Sequence, residues 1–374
     1  MIHVAIIDDS PSVRRLLTAY LQQAHGVQVV GAVGTADEAL ELVERSRPEV
    51  ITLGVEMPDI PGTELLGLLQ LASPKSAVVM VSGVSRRAAE MTLEALRQGA
   101  AAFHLKFQAD VPIEPEVWER ELLAKVRAAG QPRRSPDTPV SPRASTVPRI
   151  PIPEHRAAPT TEHQPQRVVV IGGSTGGIPA IERILTGLAP ATTDAIVIVQ
   201  HLPVAFTQSL TLQLQRRTPL PVQVAQTGTA VQPGCVYVTP GGHHLRLEHA
   251  PCGTVIVLDT GPPVGGHLPC IDLTMLSAAQ QLRDRAVGIL LSGMGSDGAS
   301  GMAAIHAAGG ETMAQDSSTS VIFGMPQRAI ERRAVTFIGT PEQIVRRLKG
   351  TGLALASSKS RSTPQTHSIG TAES

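Results

Sequence analysis

The chain is expected to fold as two α/β domains, each built on a parallel sheet, joined by a proline-rich connector. Three observations predict this. Short apolar runs alternate with amphipathic stretches of helical length through both halves of the 374-residue chain. Between residues 129 and 166 the alternation stops, and prolines fall at 132, 136, 139, 142, 148, 151, 153, 159 and 165, a composition that keeps a chain extended. The glycines, hydroxyls and charged residues able to do chemistry stand just after the apolar runs, at strand carboxyl ends, where open α/β sheets place their sites.

In the first domain, residues 1–128, the strand at 4–7 ends in Asp8 and Asp9. Ser10 and Pro11 then open a helix, the serine as its cap and the proline where a missing N–H is harmless. Strands around 27–31, 50–55, 77–81 and 101–105 follow, interleaved with helices over 36–46, 64–71, 88–98 and 114–129. Five strand–helix pairs, with helices for both faces, predict a doubly wound open sheet. Its strand ends bring together Asp8, Asp9, Gly54, Ser82 and Lys106. Two adjacent carboxylates there suit a divalent cation and equally suit a solvated turn, so the sequence leaves both readings open.

The second domain, residues 167–348, resumes with a strand at 168–171. That strand runs into Gly172-Gly173-Ser174-Thr175-Gly176-Gly177 and a helix from Ile178. A serine in a sharp strand-to-helix turn projects its oxygen beside the helix's free N–H groups, which is nucleophile geometry; a phosphate-binding turn reads similarly. The run has neither the lysine of a P-loop, nor the spacing of a dinucleotide fingerprint, nor a Gly-x-Ser-x-Gly elbow. A hydrolase reading therefore needs partners found independently. The strand at 195–199 delivers His201 within Gln200-His201-Leu202-Pro203, ahead of a helix at 207–215. Short strands around 222–225, 235–238, 244–247 and 255–258, separated by Pro–Gly turns, predict a hairpin or an antiparallel extension of the sheet. A strand at 287–291 leads into Ser292-Gly293-Met294-Gly295-Ser296-Asp297-Gly298-Ala299 and a small-residue helix at 300–308. Asp297 alone reads as a capping or loop residue. Together Ser174, His201 and Asp297 lie at three strand ends and can meet in space as a triad, in a chain order unlike that of α/β-hydrolases.

A formal net charge of zero removes any bulk electrostatic case for nucleic acid or an anionic membrane, and the basic pair Arg133-Arg134 reads as linker solvation. Cys235, Cys252 and Cys270 form neither a close pair nor a metal cluster, so reduced thiols are expected. With no long apolar segment and no secretory leader, the expected location is the cytoplasm, without membrane insertion. His243, His244 and His249 make a poor zinc set, because consecutive strand residues point opposite ways and no acid or cysteine completes it. Cys270 as nucleophile lacks a matching turn. Residues 349–374, rich in Ser and Thr, are expected to be disordered.

Asp8-Asp9, Glu56-Met57-Pro58 with Gly62, Ser82 and Lys106 resemble the receiver domain of two-component response regulators. The runs Gly172–Gly177, Gln200–Pro203, Gly293–Ala299, Ala314-Gln315-Asp316 and Phe323–Pro326 resemble, in order, the chemotaxis protein-glutamate methylesterases. The resemblance implies a receiver fold followed by a Rossmann-like α/β esterase. It also implies hydrolysis of glutamate γ-methyl esters in the cytoplasmic region of methyl-accepting chemotaxis receptors, with methanol released, and glutamine deamidase activity. A chemotaxis histidine kinase is the implied second partner. No cofactor or metal is expected for the esterase, and weak Mg²⁺ binding is expected of the receiver pocket. Backbone donors near Thr175 and Met294 are the oxyanion-hole candidates. Four positions depart from the family. Gly54 stands where receivers carry the phosphate-accepting aspartate, so the usual phosphorylation switch is expected to be absent; Phe107 replaces a common proline; Leu268 and Cys270 replace a common arginine and serine. The alternative function is a weakly active or inactive regulatory binding module in another chemosensory pathway.

Overall fold

The computed structural model describes residues 1–107, 114–131, 165–188 and 192–360, with side chains described to 350. The connector expected at 129–166 and the end of the tail lie largely outside the described residues.

The first domain runs β1 (Ile2–Ile7), α1 (Pro11–Gln23), β2 (Val27–Val33), α2 (Ala36–Ser46), β3 (Val50–Gly54), α3 (Gly62–Ala72), β4 (Ala77–Ser82), α4 (Arg86–Arg97), β5 (Ala102–Leu105) and α5 (Pro115–Ala129). Every strand pair is parallel and the order is β2-β1-β3-β4-β5, so the doubly wound expectation holds. β3 is buried along its whole length, which explains why it reads as a continuous apolar run: both its faces are covered. The helix starts are written in hydroxyls. Ser10, Thr35 and Ser85 accept hydrogen bonds from the N–H groups of Val13, Glu38 and Ala88. Leu17, Leu21, Trp118, Leu122 and Val126 of α1 and α5 close one face, and α2 to α4 close the other.

The second domain continues β6 (Val168–Gly173), α6 (Gly177–Leu188), β7 (Ala195–Gln200), α7 (Val204–Arg217), β8 (Val222–Val224), β9 (Val236–Val238), β10 (His244–Ala250) and β11 (Gly253–Asp259). It ends with α8 (Ile271–Leu282), β12 (Ala286–Leu290), α9 (Ala299–Ala307), β13 (Glu311–Gln315), α10 (Met325–Glu331), β14 (Phe337–Gly339) and α11 (Pro341–Ser360). Seven parallel strands form one sheet in the order β14-β13-β12-β6-β7-β9-β8. The antiparallel element is the hairpin β10–β11, a two-stranded sheet of its own, while β8 and β9 join the main sheet in parallel. Helix α8, absent from the sequence reading, docks on that hairpin partly through hydroxyls: Thr274 Oγ1 donates to Leu245 O at 2.7 Å and Ser277 Oγ accepts from Leu247 N at 2.9 Å. Such buried polar positions break the apolar stripe by which an amphipathic helix is recognised. The tail needs a correction, because α11 is helical to Ser360 and the break expected at 349 falls inside it.

The domains meet where α4 packs along α7, and Phe103 of β5 stacks on Phe206 of α7 with centroids 5.2 Å apart. Among the described residues no helix is long and apolar enough to cross a membrane.

At the foot of the second sheet, Arg167 and Asp194 form a buried two-pronged pair at 3.0 and 2.7 Å, and the guanidinium also donates to Leu348 O at 2.9 Å. The arrangement ties the starts of β6 and β7 to α11. Asp194→Ala removes the two-pronged partner of that buried guanidinium and leaves it the Glu311 carboxylate at 3.7 Å, so it is expected to destabilise the domain by about 3 kcal/mol, read as a lower urea midpoint of its unfolding transition.

Candidate active site

β6 sits at the point where the strand order reverses, with β12 on one side and β7 on the other. The register aligns their ends: Gly173 pairs with Gln200, and Gly172 pairs with Leu290. Ser174 and His201 therefore leave the sheet side by side, joined by a bond from His201 N–H to Gly173 O at 3.0 Å. Ser174 N–H donates to Ser292 O at 3.0 Å, which fastens the serine to the segment that carries Asp297.

His201 and Asp297 are in direct contact, Nε2 to Oδ2 at 2.8 Å. Asp297 also accepts from the N–H groups of Ile271 at 2.8 Å and Asp272 at 2.9 Å, in the first turn of α8, and from the Cys270 thiol at 3.2 Å. Burial pushes this carboxyl up, but the hydrogen bond and charge of His201 and the two helix N–H groups outweigh it and hold Asp297 well below the usual carboxylate range. An ionised carboxylate can only accept, so Nε2 carries the proton and Nδ1 is left as the basic nitrogen. That Nδ1 is buried and makes no hydrogen bond among the described residues, Ser174 Oγ included. Catalytic bonds of this kind are often long in an empty site and tighten on substrate.

Neither Thr175 N–H nor Met294 N–H donates a hydrogen bond among the described residues, so both remain open to an oxyanion. Close packing brings the second toward the serine. A side chain at Gly293 would stand 2.8 Å from Ser174 Cβ and collide with Met325 Sδ, so only glycine lets this backbone lie against the nucleophile.

Several residues that hold the site were not found from the sequence as functional. Gln200 Nε2 donates to Ser174 O at 2.8 Å. Ser292 Oγ donates to Thr175 O at 2.7 Å and accepts from Ile322 N–H at 3.0 Å, and Ser292 N–H is bound by Gln315 Oε1 at 2.8 Å. His267 stacks on His201, centroids 4.0 Å apart and planes within 10°. Gln200 and Gln315 end β7 and β13, and Ser292 lies two residues past the end of β12, a position at the strand ends that could have singled them out. His244 is a structural residue: its Nε2 donates to Pro262 O at 3.0 Å and its Nδ1 accepts from Cys270 N–H at 3.1 Å. Among the described residues no group of three or more His, Cys, Asp or Glu could hold a metal ion.

The receiver pocket gathers its five predicted residues. Asp8 is fully buried, and its Oδ1 accepts from Ser10 N–H at 3.0 Å and Lys106 Nζ at 3.1 Å; Nζ is also 2.9 Å from Oδ2. Burial raises its carboxyl above the ordinary value against the pull of Lys106. Lys106 Nζ is 3.7 Å from Asp9. Ser82 Oγ is turned inward, accepting from Thr92 Oγ1 at 2.7 Å and donating to Gly83 O at 3.0 Å. Asp8 leans over Gly54, so that a Cβ there would stand 2.8 Å from its Oδ2. No neighbouring acid fills the gap: Asp59 caps α2 through Ala36 N–H and Glu56 is exposed. Phe107 is 42% exposed and lies edge-on to Trp118. These residues fit Mg²⁺ poorly, since an ammonium already sits between two carboxylates and Gly54 offers no third.

Fold and site together define a response-regulator module followed by an α/β domain with a Ser–His–Asp cluster at its sheet edge. Residues 169–348 match the CheB methylesterase family and residues 4–112 the response regulator receiver domain. A relative from Geobacter metallireducens, named protein-glutamate methylesterase/protein-glutamine glutaminase 1, is 37% identical over 93% of this chain and 95% of its own. One of the same name from Myxococcus xanthus is 40% identical over 90% and 92%. The Thermotoga maritima CheB methylesterase catalytic domain is 34% identical, covering 49% of this chain and 96% of that one with a TM-score of 0.47. The chain belongs to the CheB methylesterase family.

Burial and then the charge of Asp297 push the Cys270 thiol up to about 12. It stays protonated at ordinary pH, and a thiol without thiolate character is inert. Iodoacetamide at pH 8 is expected to alkylate the exposed Cys252 and leave Cys270 unmodified in the folded protein, as read by peptide mass spectrometry.

Proposed function

We propose that the chain is a serine-dependent protein-glutamate methylesterase acting on the cytoplasmic region of methyl-accepting chemotaxis receptors. The observation that carries the reading is the 2.8 Å His201–Asp297 contact one strand from Ser174, within a chain of the CheB methylesterase family. Ser174 Oγ attacks the γ-ester carbonyl while His201 Nδ1 takes its proton. The carbonyl oxygen, now negative, is held by the N–H groups of Thr175 and Met294. Collapse breaks the carbon–methoxy bond, and the proton on His201 passes to the leaving oxygen as methanol. Water, deprotonated by the same nitrogen, cleaves the acyl-serine to glutamate and free Ser174. Asp297 orients the imidazole and stabilises its charged form. With glutamine as substrate the leaving group is ammonia, and the same groups serve. No cofactor enters these steps. The paired His201 and Asp297, one strand from Ser174, argue against the alternative of an inactive binding module.

Ser174→Ala is expected to lower methanol release from methyl-labelled receptor fragments by roughly 10³-fold or more, and His201→Ala by a similar factor, with residual turnover from the oxyanion donors alone. Release by Ser174→Ala equal to that of the unaltered chain would refute the assignment.

The receiver, in this reading, works in the cytoplasm without the aspartyl switch. Lys106 neutralises Asp8 directly, Ser82 is tied to Thr92, and the acceptor position holds no carboxylate. Mg²⁺ binding is weak, and a chemotaxis histidine kinase, if it docks, finds no phosphate acceptor at 54. Incubation with a labelled small-molecule phosphodonor and Mg²⁺ is expected to leave the chain without base-labile label. Gly54→Asp restores an acceptor at a position where φ is not left-handed, provided the Asp8 carboxylate swings aside. Label on the unaltered receiver pocket, accompanied by a change in esterase turnover, would overturn this part.

A further inference from the structure

One hydrogen bond fixes one point of a ring. The χ2 torsion of histidine is a broad, two-fold well, so the bond from Nε2 to Asp297 leaves the imidazole of His201 free to rock about that contact. The direction in which Nδ1 faces Ser174 therefore needs a second restraint.

The loop between β11 and α8 supplies one. Val264 and His267 exchange two backbone hydrogen bonds at 3.1 Å around Gly265 and Gly266, whose φ values of 62° and 84° suit a tight two-residue turn. His244 clamps both limbs of the loop through Pro262 O and Cys270 N–H, and Gly242 N–H donates to Leu268 O at 3.4 Å. The loop is thus built to hold a side chain in place, and what it holds over the site is the ring of His267, parallel to His201 within 10° at 4.0 Å. The His267 ring makes no hydrogen bond among the described residues, so the stack is what its chemistry is used for.

We propose that His267 is a positioning residue of the esterase: its ring, laid flat on His201, sets the plane of the base and so the aim of Nδ1 at Ser174. The inference rests on the esterase reading given above. His201 faces His267 directly, and the other charges that act on it are those of Asp297 and, from α5 of the receiver, Glu121. Burial and then the charge of His201 hold His267 down to about 4, against the opposite pull of Asp297 and Glu121, so it is neutral at ordinary pH. That matters during the reaction. A neutral ring face attracts the imidazolium that His201 becomes, whereas a second cation at 4.0 Å would repel it.

The test uses the full chain and two readouts, methanol release from a methylated receptor fragment and the rate at which a fluorophosphonate labels Ser174. His267→Phe keeps a flat ring and removes the nitrogens; His267→Ala removes the ring, and His267→Leu replaces it should the alanine variant not fold. Loss of the ring is expected to lower kcat and the labelling rate together by roughly tenfold with little change in KM, and His267→Phe is expected to recover most of both. A ringless variant with unaltered kcat and labelling, or a phenylalanine variant as slow as the ringless one, overturns the proposal. Failure of the esterase reading looks different: methanol release no greater than that of Ser174→Ala, while the labelling rates still report whether His267 aims the base.

Discussion

The Asp297 carboxylate is the point on which the second domain's site depends. It gathers donors from three places, His201 beyond β7, the first turn of α8, and the Cys270 thiol ahead of that helix. A buried anion needs such company, because an unpaired carboxylate in this setting would take up a proton and cease to orient anything. Here the negative charge is stabilised by the amino end of a helix as well as by the base it serves. One contact thus anchors the base and fixes where α8 begins.

The remaining geometry follows from three neighbouring parallel strands that end in register. Gly173 beside Gln200 and Gly172 beside Leu290 bring Ser174, His201 and the 292–297 segment to one edge without any long side chain having to reach. That is why glycine recurs there. Gly293 passes close against Ser174, and Gly173 and Gly177 leave room for the amide of Gln200.

Much of this was legible in the sequence, because buried parallel strands announce themselves as apolar runs and their ends can be read one residue at a time. The five strands of the first sheet and the strands β6, β7 and β12 of the second were read this way, and so were the strand ends at which Ser174, His201, Asp297 and the receiver-pocket residues stand. What escaped reading was held by contacts with no periodic signature. Helix α8 buries Thr274 and Ser277 where a stripe would carry apolar groups, and β13 and β14 lie beyond the last motif that placed a strand. His267 follows a turn, and nothing in Gly265-Gly266-His267 tells which ring it will meet. Gly54 was legible as a missing carboxylate; that Asp8 would lean into the space and pair with Lys106 required coordinates.

Helix α8 carries the hairpin β10–β11 through Thr274 and Ser277, and the turn that opens the same helix grips Asp297. The hairpin, the helix and the acid behind the base therefore form one lever. A hairpin that is a sheet of its own is thus joined, through one helix, to the carboxylate that orients the imidazole.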